Sequence, residues 1–112
     1  MAEEKTYLEL PGEGGTIRVS LTALGEIASA AARAVPGVAA LAAGEGSVVR
    51  GVKVALSDIG LCSLDVYLLV RQGTPFSQTA AAVQRAVKEA VDAAVGVETA
   101  AVNVFVAGVA LK

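Results

Sequence analysis

Four segments of the chain alternate between apolar and polar residues with a period of two, which is the pattern of a half-buried β-strand. They lie at residues 16–20, 52–56, 64–71 and 102–107. The third segment is the cleanest. Its residues divide into one face of Leu64, Val66, Leu68 and Val70 and another of Asp65, Tyr67, Leu69 and Arg71. Such alternation predicts a sheet with one covered face.

Two further segments repeat apolar residues every three or four positions, which predicts amphipathic helices. Ser20 or Thr22 can cap the first helix, and Pro36-Gly37 ends it. Its apolar face comprises Leu24, Ile27, Ala28, Ala31 and Val35. The second helix has Thr74 as its N-cap, Pro75 at its first position and Gly96 at its end. Its apolar face comprises Phe76, Ala80, Val83, Val87, Ala90, Val91 and Ala94.

The resulting order is βαββαβ, with a hairpin between the second and third strands. Right-handed crossovers place both helices on one face of a four-stranded antiparallel sheet, a two-layer α+β sandwich of the ferredoxin-like type. Residues 1–15 are expected to form a flexible leader without regular structure, because glycines and Pro11 interrupt them. Residues 16–112 form the single domain. Within it, residues 38–51 are a connection whose first part extends the helix or forms another turn.

Composition refines this picture. The 112 residues fit one domain, and 54% of them are hydrophobic, which is enough for a core. The core material is unusually small, with 23 Ala and 18 Val against two Phe, two Tyr and no Trp. Small side chains bury little area each, so such a domain could gain stability by self-association. The same composition also fits codon bias.

Charge and hydropathy exclude two classes of partner. The formal net charge is −2, and Lys and Arg are dispersed, so the chain lacks the basic footprint of a nucleic-acid-binding protein. The longest largely apolar stretch, residues 27–43, is interrupted by Arg33, Pro36 and Gly37. We therefore expect no direct membrane insertion. The acidic N-terminal residues have no apolar segment of a signal peptide, which predicts a cytoplasmic protein.

Candidate chemistry is sparse. The chain has no histidine, which excludes Ser-His-Asp, Cys-His and His-metal sites. Cys62 is the single cysteine, and we interpret it as a small buried hydrophobe. Carboxylates are interpreted as solvated surface groups, and the glycines at 12–15 and 44–46 as flexible loops. Residues 73–75 are interpreted as ordinary helix capping. No catalytic, cofactor-binding or metal-binding residue is predicted.

The main functional hypothesis concerns the face of the sheet that points away from the helices. Three large apolar side chains, Tyr67, Leu69 and Phe105, point away from the helices in the predicted registers, and apolar groups on an exposed face suggest a contact surface. The same face carries Arg18, Lys53, Asp65, Arg71 and Asn103. Scattered exposed apolar residues are common, which leaves an ordinary surface as the alternative. An RNA-recognition module has the same strand order, but its basic and aromatic run is absent here.

Several blocks of the chain resemble a known family. They are GTIRVSLTALGEIASAAARAVPGVAAL, GVKVAL, LDVYLLVRQGTPFSQTAAAVQRAVKEAV and GVETAAVNVFVAGV. Together they resemble the alkaline shock protein family, named for a stress protein of Gram-positive bacteria, over roughly residues 14–109. The most specific pieces are residues 66–73, 84–91 and 102–109.

The resemblance implies a non-enzymatic cytoplasmic protein linked to the cell envelope. Some members self-assemble and coat the inner face of the membrane through a membrane-anchored partner, and others are associated with stress response or lipid metabolism. The expected partners are therefore a second copy of the chain and another protein. A scaffold protein is the first hypothesis. The alternatives are a small regulator of a lipid- or envelope-synthesis enzyme, a ligand-binding protein and an uncharacterised enzyme.

Overall fold

The structure, a computed structural model, describes residues 7–42, 48–49, 51–56, 62–96 and 100–111. Over these residues the chain forms two helices and two sheets, which confirms the α+β class. The elements in chain order are β1 (Tyr7–Gly12), β2 (Gly15–Ser20), α1 (Leu21–Arg33), β3 (Val38–Leu41), β4 (Val48–Val49), β5 (Val52–Leu56), β6 (Cys62–Arg71), α2 (Phe76–Val95) and β7 (Ala100–Ala110).

Strand β6 is the centre of the main sheet. β7 pairs with it in parallel along its whole length, from Cys62 to Arg71. β5 pairs with it antiparallel as far as Val66, and β3 pairs with it antiparallel from Leu68 to Val70. Because β7 occupies one edge of β6 throughout, β5 and β3 must share the other edge end to end. β4 pairs with the outer side of β5.

This topology corrects the predicted ferredoxin-like sheet. The hairpin of β5 and β6 is confirmed, but β6 and β7 run parallel, with α2 as the crossover that parallel neighbours require. β3 also joins the main sheet, where we expected a helix extension or a turn. Its Val38 pairs with Val70 and its Leu41 with Leu68, and Val38 is buried, so pairing with β6 and burial of Val38 favour the strand.

The N-terminal part of the chain forms a separate two-stranded sheet. β2 was expected in the main sheet, but it pairs antiparallel with β1 instead. Irregular structure was expected over residues 1–15, whereas residues 7–12 are a strand, and residues 1–6 lie outside the described part. Leu8 of β1 is buried and belongs to the same core as the main sheet, which ties this hairpin to the domain.

The helix boundaries follow the predicted capping signals in three of four cases. The Ser20 hydroxyl oxygen accepts a hydrogen bond from the backbone N–H of Ala23 at 3.0 Å, so Ser20 caps α1. α1 ends at Arg33, just before Pro36-Gly37, and Gly96 caps α2 in the left-handed conformation. The prediction of Thr74 as the N-cap of α2 is wrong. Pro75 occupies that position, and no side chain caps the helix.

The core lies between the two helices and one face of β6. Five alternate side chains of β6 are buried completely: Cys62, Leu64, Val66, Leu68 and Val70. The buried face of α2 recurs every four residues at Thr79, Val83, Val87, Val91 and Val95. The predicted face is therefore wrong at Phe76, which is 49% exposed, and at Ala94, which is exposed. In α1, small Ala28, Ser29 and Ala32 are fully buried, while Ile27 and Ala31 are only partly buried.

The two faces of β6 can be tested with neighbouring leucines. We expect Leu68→Ala to lower the free energy of unfolding by about 2–5 kcal/mol, because Leu68 is fully buried and its truncation leaves a cavity. Leu69→Ala should cost only about 1 kcal/mol, since Leu69 lies on the opposite, partly exposed face. Urea denaturation followed by circular dichroism measures both. Equal losses would contradict the assigned faces of the strand.

Gly51 offers a second test. It has a φ of +85°, its carbonyl oxygen accepts a hydrogen bond from the N–H of Tyr67 at 3.0 Å, and a Cβ there would overlap the Cβ of Leu41. Gly96 has a φ of +91° but open space around its Cβ position. We expect Gly96→Ala to cost about 1 kcal/mol for the backbone conformation alone. Gly51→Ala should cost about 2–3 kcal/mol more, because overlap is added to the same conformational cost. Thermal or urea unfolding compares the pair, and equal costs would refute the close approach to Leu41.

Candidate functional site

The face of the main sheet that points away from the helices is the candidate functional site. Leu64, Val66 and Leu68 are buried against the helices, so the alternate side chains of β6 lie on the opposite side. We call this side the outer face. As predicted, it carries Tyr67 and Leu69 from β6, and Phe105 from β7 stands opposite Tyr67 in the parallel register.

Tyr67 and Phe105 stack on each other. Their ring centroids are 5.2 Å apart and their planes differ by 17°. The backbone of Tyr67 is held at the junction of β3 and β5, where its N–H donates to the Gly51 carbonyl and its carbonyl accepts from the N–H of Ala42 at 2.8 Å. Phe105 remains 47% exposed. The sheet therefore positions the backbone of Tyr67, and the Phe105 ring of the stack remains accessible.

Leu69 extends the apolar surface beside the stack. The register of β6 and β7 shifts after Leu68, so that Leu69 stands opposite Gly108. A Cβ added to Gly108 would lie 3.1 Å from Cδ2 of Leu69, which shows that the leucine side chain lies over the glycine. On the other edge, Leu69 is opposite Ala40 of β3. We call Tyr67, Leu69 and Phe105 the outer-face patch.

A polar row borders the outer-face patch one step along the strands. Lys53 of β5 is opposite Asp65 of β6, which in turn is opposite Asn103 of β7. The amide nitrogen Nδ2 of Asn103 donates a hydrogen bond to Oδ1 of Asp65 at 3.0 Å. Arg71 is exposed at the far end of β6, on the same face. The patch is therefore flanked by hydrogen-bonding and charged groups.

Arg18 corrects the predicted surface. It lies on β2, in the separate two-stranded sheet, opposite Glu9 of β1. Its guanidinium carbon is 4.6 Å from the centroid of the Tyr7 ring, a cation–π contact within the hairpin. The error arises because β2 pairs with β1. We expected residues 1–15 to have no regular structure, so β1 was not predicted. The other six predicted residues, Tyr67, Leu69, Phe105, Lys53, Arg71 and Asn103, share the outer face. That this face binds a partner stays a prediction.

The two neighbours of Leu69 on the outer face, Ala40 and Gly108, were not predicted. Ala40 lies on a strand that the residue pattern did not indicate. Gly108 could have been found, because a glycine inside an alternating strand commonly marks a bulge or a close approach. Gly108 lies beside the register shift between β6 and β7, and the side chain of Leu69 approaches it closely. Without that shift, Leu69 would face Ala107 rather than the flat surface of a glycine.

Groups that support chemistry are not gathered on this face. Within the described ranges, no group of three His, Cys, Asp or Glu side chains could hold a metal ion. Cys62 is buried on the inner face of β6, as expected. Neither described helix is long and apolar enough to cross a membrane. The outer face offers an aromatic and aliphatic surface with a polar border, which is suited to contact.

A comparison of the sequence with models of known protein families finds the family that the sequence blocks resemble. The model of that family, whose description gives a cell envelope-related function, matches residues 9–111. The matched region includes both helices, strands β2 to β7 and most of β1. The chain matched no curated protein and no solved structure.

The stack can be tested by a double-mutant cycle. We expect Tyr67→Ala and Phe105→Ala to show a coupling energy of about 0.5–1.5 kcal/mol in the free energy of unfolding. Either single substitution removes the stacking interaction, so the double substitution cannot remove it a second time. Tyr67→Ala combined with Phe76→Ala is the matched control. Phe76 belongs to the helix layer, so these two effects should be additive. A coupling near zero for the first pair would contradict the stack.

Proposed function

Because this chain belongs to the alkaline shock protein family, which is described by a cell envelope-related function, we propose that it is a non-enzymatic cytoplasmic protein acting in envelope homeostasis or stress response. It acts by self-association and by binding a partner protein. The observation that carries the proposal is the outer-face patch of Tyr67, Leu69 and Phe105, in which the two rings stack and Phe105 is about half exposed.

The composition of the patch supports protein binding. Interface centres are enriched in aromatic residues and surrounded by a polar rim. Here Tyr67, Phe105 and Leu69 form the centre, and the row of Lys53, Asp65 and Asn103 forms one side of the rim. Because the rings are already stacked and Leu69 already lies on Gly108, little side-chain freedom is lost on binding.

Charge supports a protein as the envelope partner in preference to lipid. Binding to the anionic inner leaflet generally requires a cluster of basic residues. This chain has nine Lys and Arg against eleven Asp and Glu, and the basic residues are dispersed. A membrane-anchored protein that recognises the outer-face patch supplies the attachment instead. The protein is then held at the inner face of the membrane without entering it.

The proposal is tested by fractionation of the native host cells. We expect the wild-type protein to sediment with membranes, and Leu69→Glu to lower the membrane-bound fraction at least about tenfold, because it places a charge in the centre of the interface. Ala55→Glu is the matched control. Ala55 of β5 is exposed on the outer face and lies opposite Ser63 of β6. Ser63 is two positions along β6 from Asp65, which belongs to the polar row.

Circular dichroism of the purified variants checks that both remain folded. Retention of Leu69→Glu in the membrane fraction at the wild-type level would contradict the assigned surface. Equal losses in Leu69→Glu and Ala55→Glu would show a general effect of negative charge, which also contradicts it. A regulator of a lipid-synthesis enzyme would appear as a monomer in light scattering at all concentrations.

A further inference from the structure

The second edge of β7 has no partner strand among the described residues. β7 spans eleven residues, and within the described part of the chain it pairs only with β6. At about 3.3 Å per residue such an edge is about 36 Å long. The opposite side of the sheet is formed by much shorter strands, four residues in β3 and two in β4. The sheet therefore has one long edge and one interrupted edge.

Hydrogen bonds show which backbone groups face outward. The carbonyl of Ala110 accepts from the N–H of Gln72 after β6, so Ala110 faces β6 and Val109 faces away from it. Before the register shift, the carbonyl of Val102 accepts a hydrogen bond from Nε2 of Gln84 on α2 at 3.1 Å. This carbonyl therefore faces outward, and alternation along the strand directs Val104 and Val106 the same way.

Two features limit the accessible edge to a short window. Gln84 occupies the outward carbonyl of Val102, and the register shift against β6 interrupts the regular strand at Ala107. The window between them, residues 103–107, is centred on Phe105. It contains no proline and no charged residue. Natural edge strands are usually protected by such residues, so this window is suited to pairing with another strand.

The window is complementary to itself. Antiparallel pairing centred on Phe105 sets Val104 opposite Val106 of a second copy, where both have outward N–H and C=O groups. It also sets Phe105 opposite its own counterpart. Both are favourable cross-strand pairs, β-branched with β-branched and aromatic with aromatic, and no like charges meet. Among the described residues the opposite side of the sheet has only the short outer strands β3 and β4, and an antiparallel pairing of β7 with its own counterpart closes as a two-fold dimer.

We propose that two copies of this chain pair antiparallel through residues 103–107 of β7 and form one continuous sheet. This inference rests on the proposed function and specifies its self-association. Opposite residues of an antiparallel pair point to the same face, so the two outer-face patches merge. The four rings, Tyr67 and Phe105 of each copy, then form one row on the outer face of the joined sheet.

Cysteine cross-linking tests the register. Phe105→Cys should form a covalent dimer under mild oxidation at least about tenfold faster than Ala55→Cys, because thiols held opposite each other react at a raised effective concentration. Ala55 is exposed on the same face but lies on β5. The wild-type protein should not cross-link, because Cys62 is buried. If Phe105→Cys reacts no faster than Ala55→Cys, the proposed pairing is wrong.

Sedimentation velocity provides the second arm. Phe105→Lys should weaken dimerisation at least about tenfold, because two ammonium groups would then stand opposite each other, and Ala55→Lys should leave it unchanged. Leu69→Glu should remain dimeric, since Leu69 lies outside the window. A wild-type monomer, or a dimer that Phe105→Lys leaves intact, would overturn the inference. Loss of membrane binding by Leu69→Glu would still support partner binding through the outer-face patch, whatever the oligomeric state, so the two can fail separately.

Discussion

The alternation of β6 is the constraint on which the rest of the structure depends. One face of this strand is completely buried from Cys62 to Val70, and both of its edges are paired. A strand in that position cannot shift by one residue, because every buried side chain would move to the outer face. The position of Tyr67 on the outer face is therefore a direct consequence of the burial of Val66 and Leu68 on the inner face.

The small size of the core residues determines how the layers meet. The sheet is covered by α2 through a row of Val and Thr side chains and by α1 through Leu24 and small Ala and Ser side chains. The core contains no aromatic group among the described residues. Such side chains each remove little apolar area from water. The two phenylalanines lie outside the core, since Phe105 and Phe76 are both about half exposed. Stability gained by association would compensate for a core of this kind.

Local structure was predictable from the sequence, and long-range pairing was not. The positions of β5, β6 and both helices follow from periodicity, and the outer-face positions of Tyr67, Leu69 and Phe105 follow from alternation. The parallel pairing of β6 with β7, the local pairing of β2 with β1 and the entry of β3 into the sheet depend on which strand edges meet. Arg18 was misplaced for that reason. The register shift that sets Leu69 over Gly108 is likewise a property of two strands together.

Phe105 belongs to both of the proposed contact surfaces. Its ring belongs to the outer-face patch, while its neighbours Val104 and Val106 direct their backbone groups to the unpaired edge. Pairing at that edge would place two patches side by side on one face, so a partner with two binding segments would be held by both. The second segment would then bind at a raised effective concentration, which increases the overall affinity without any new contact. In the proposed assembly, the geometry of a single strand would couple self-association to partner binding.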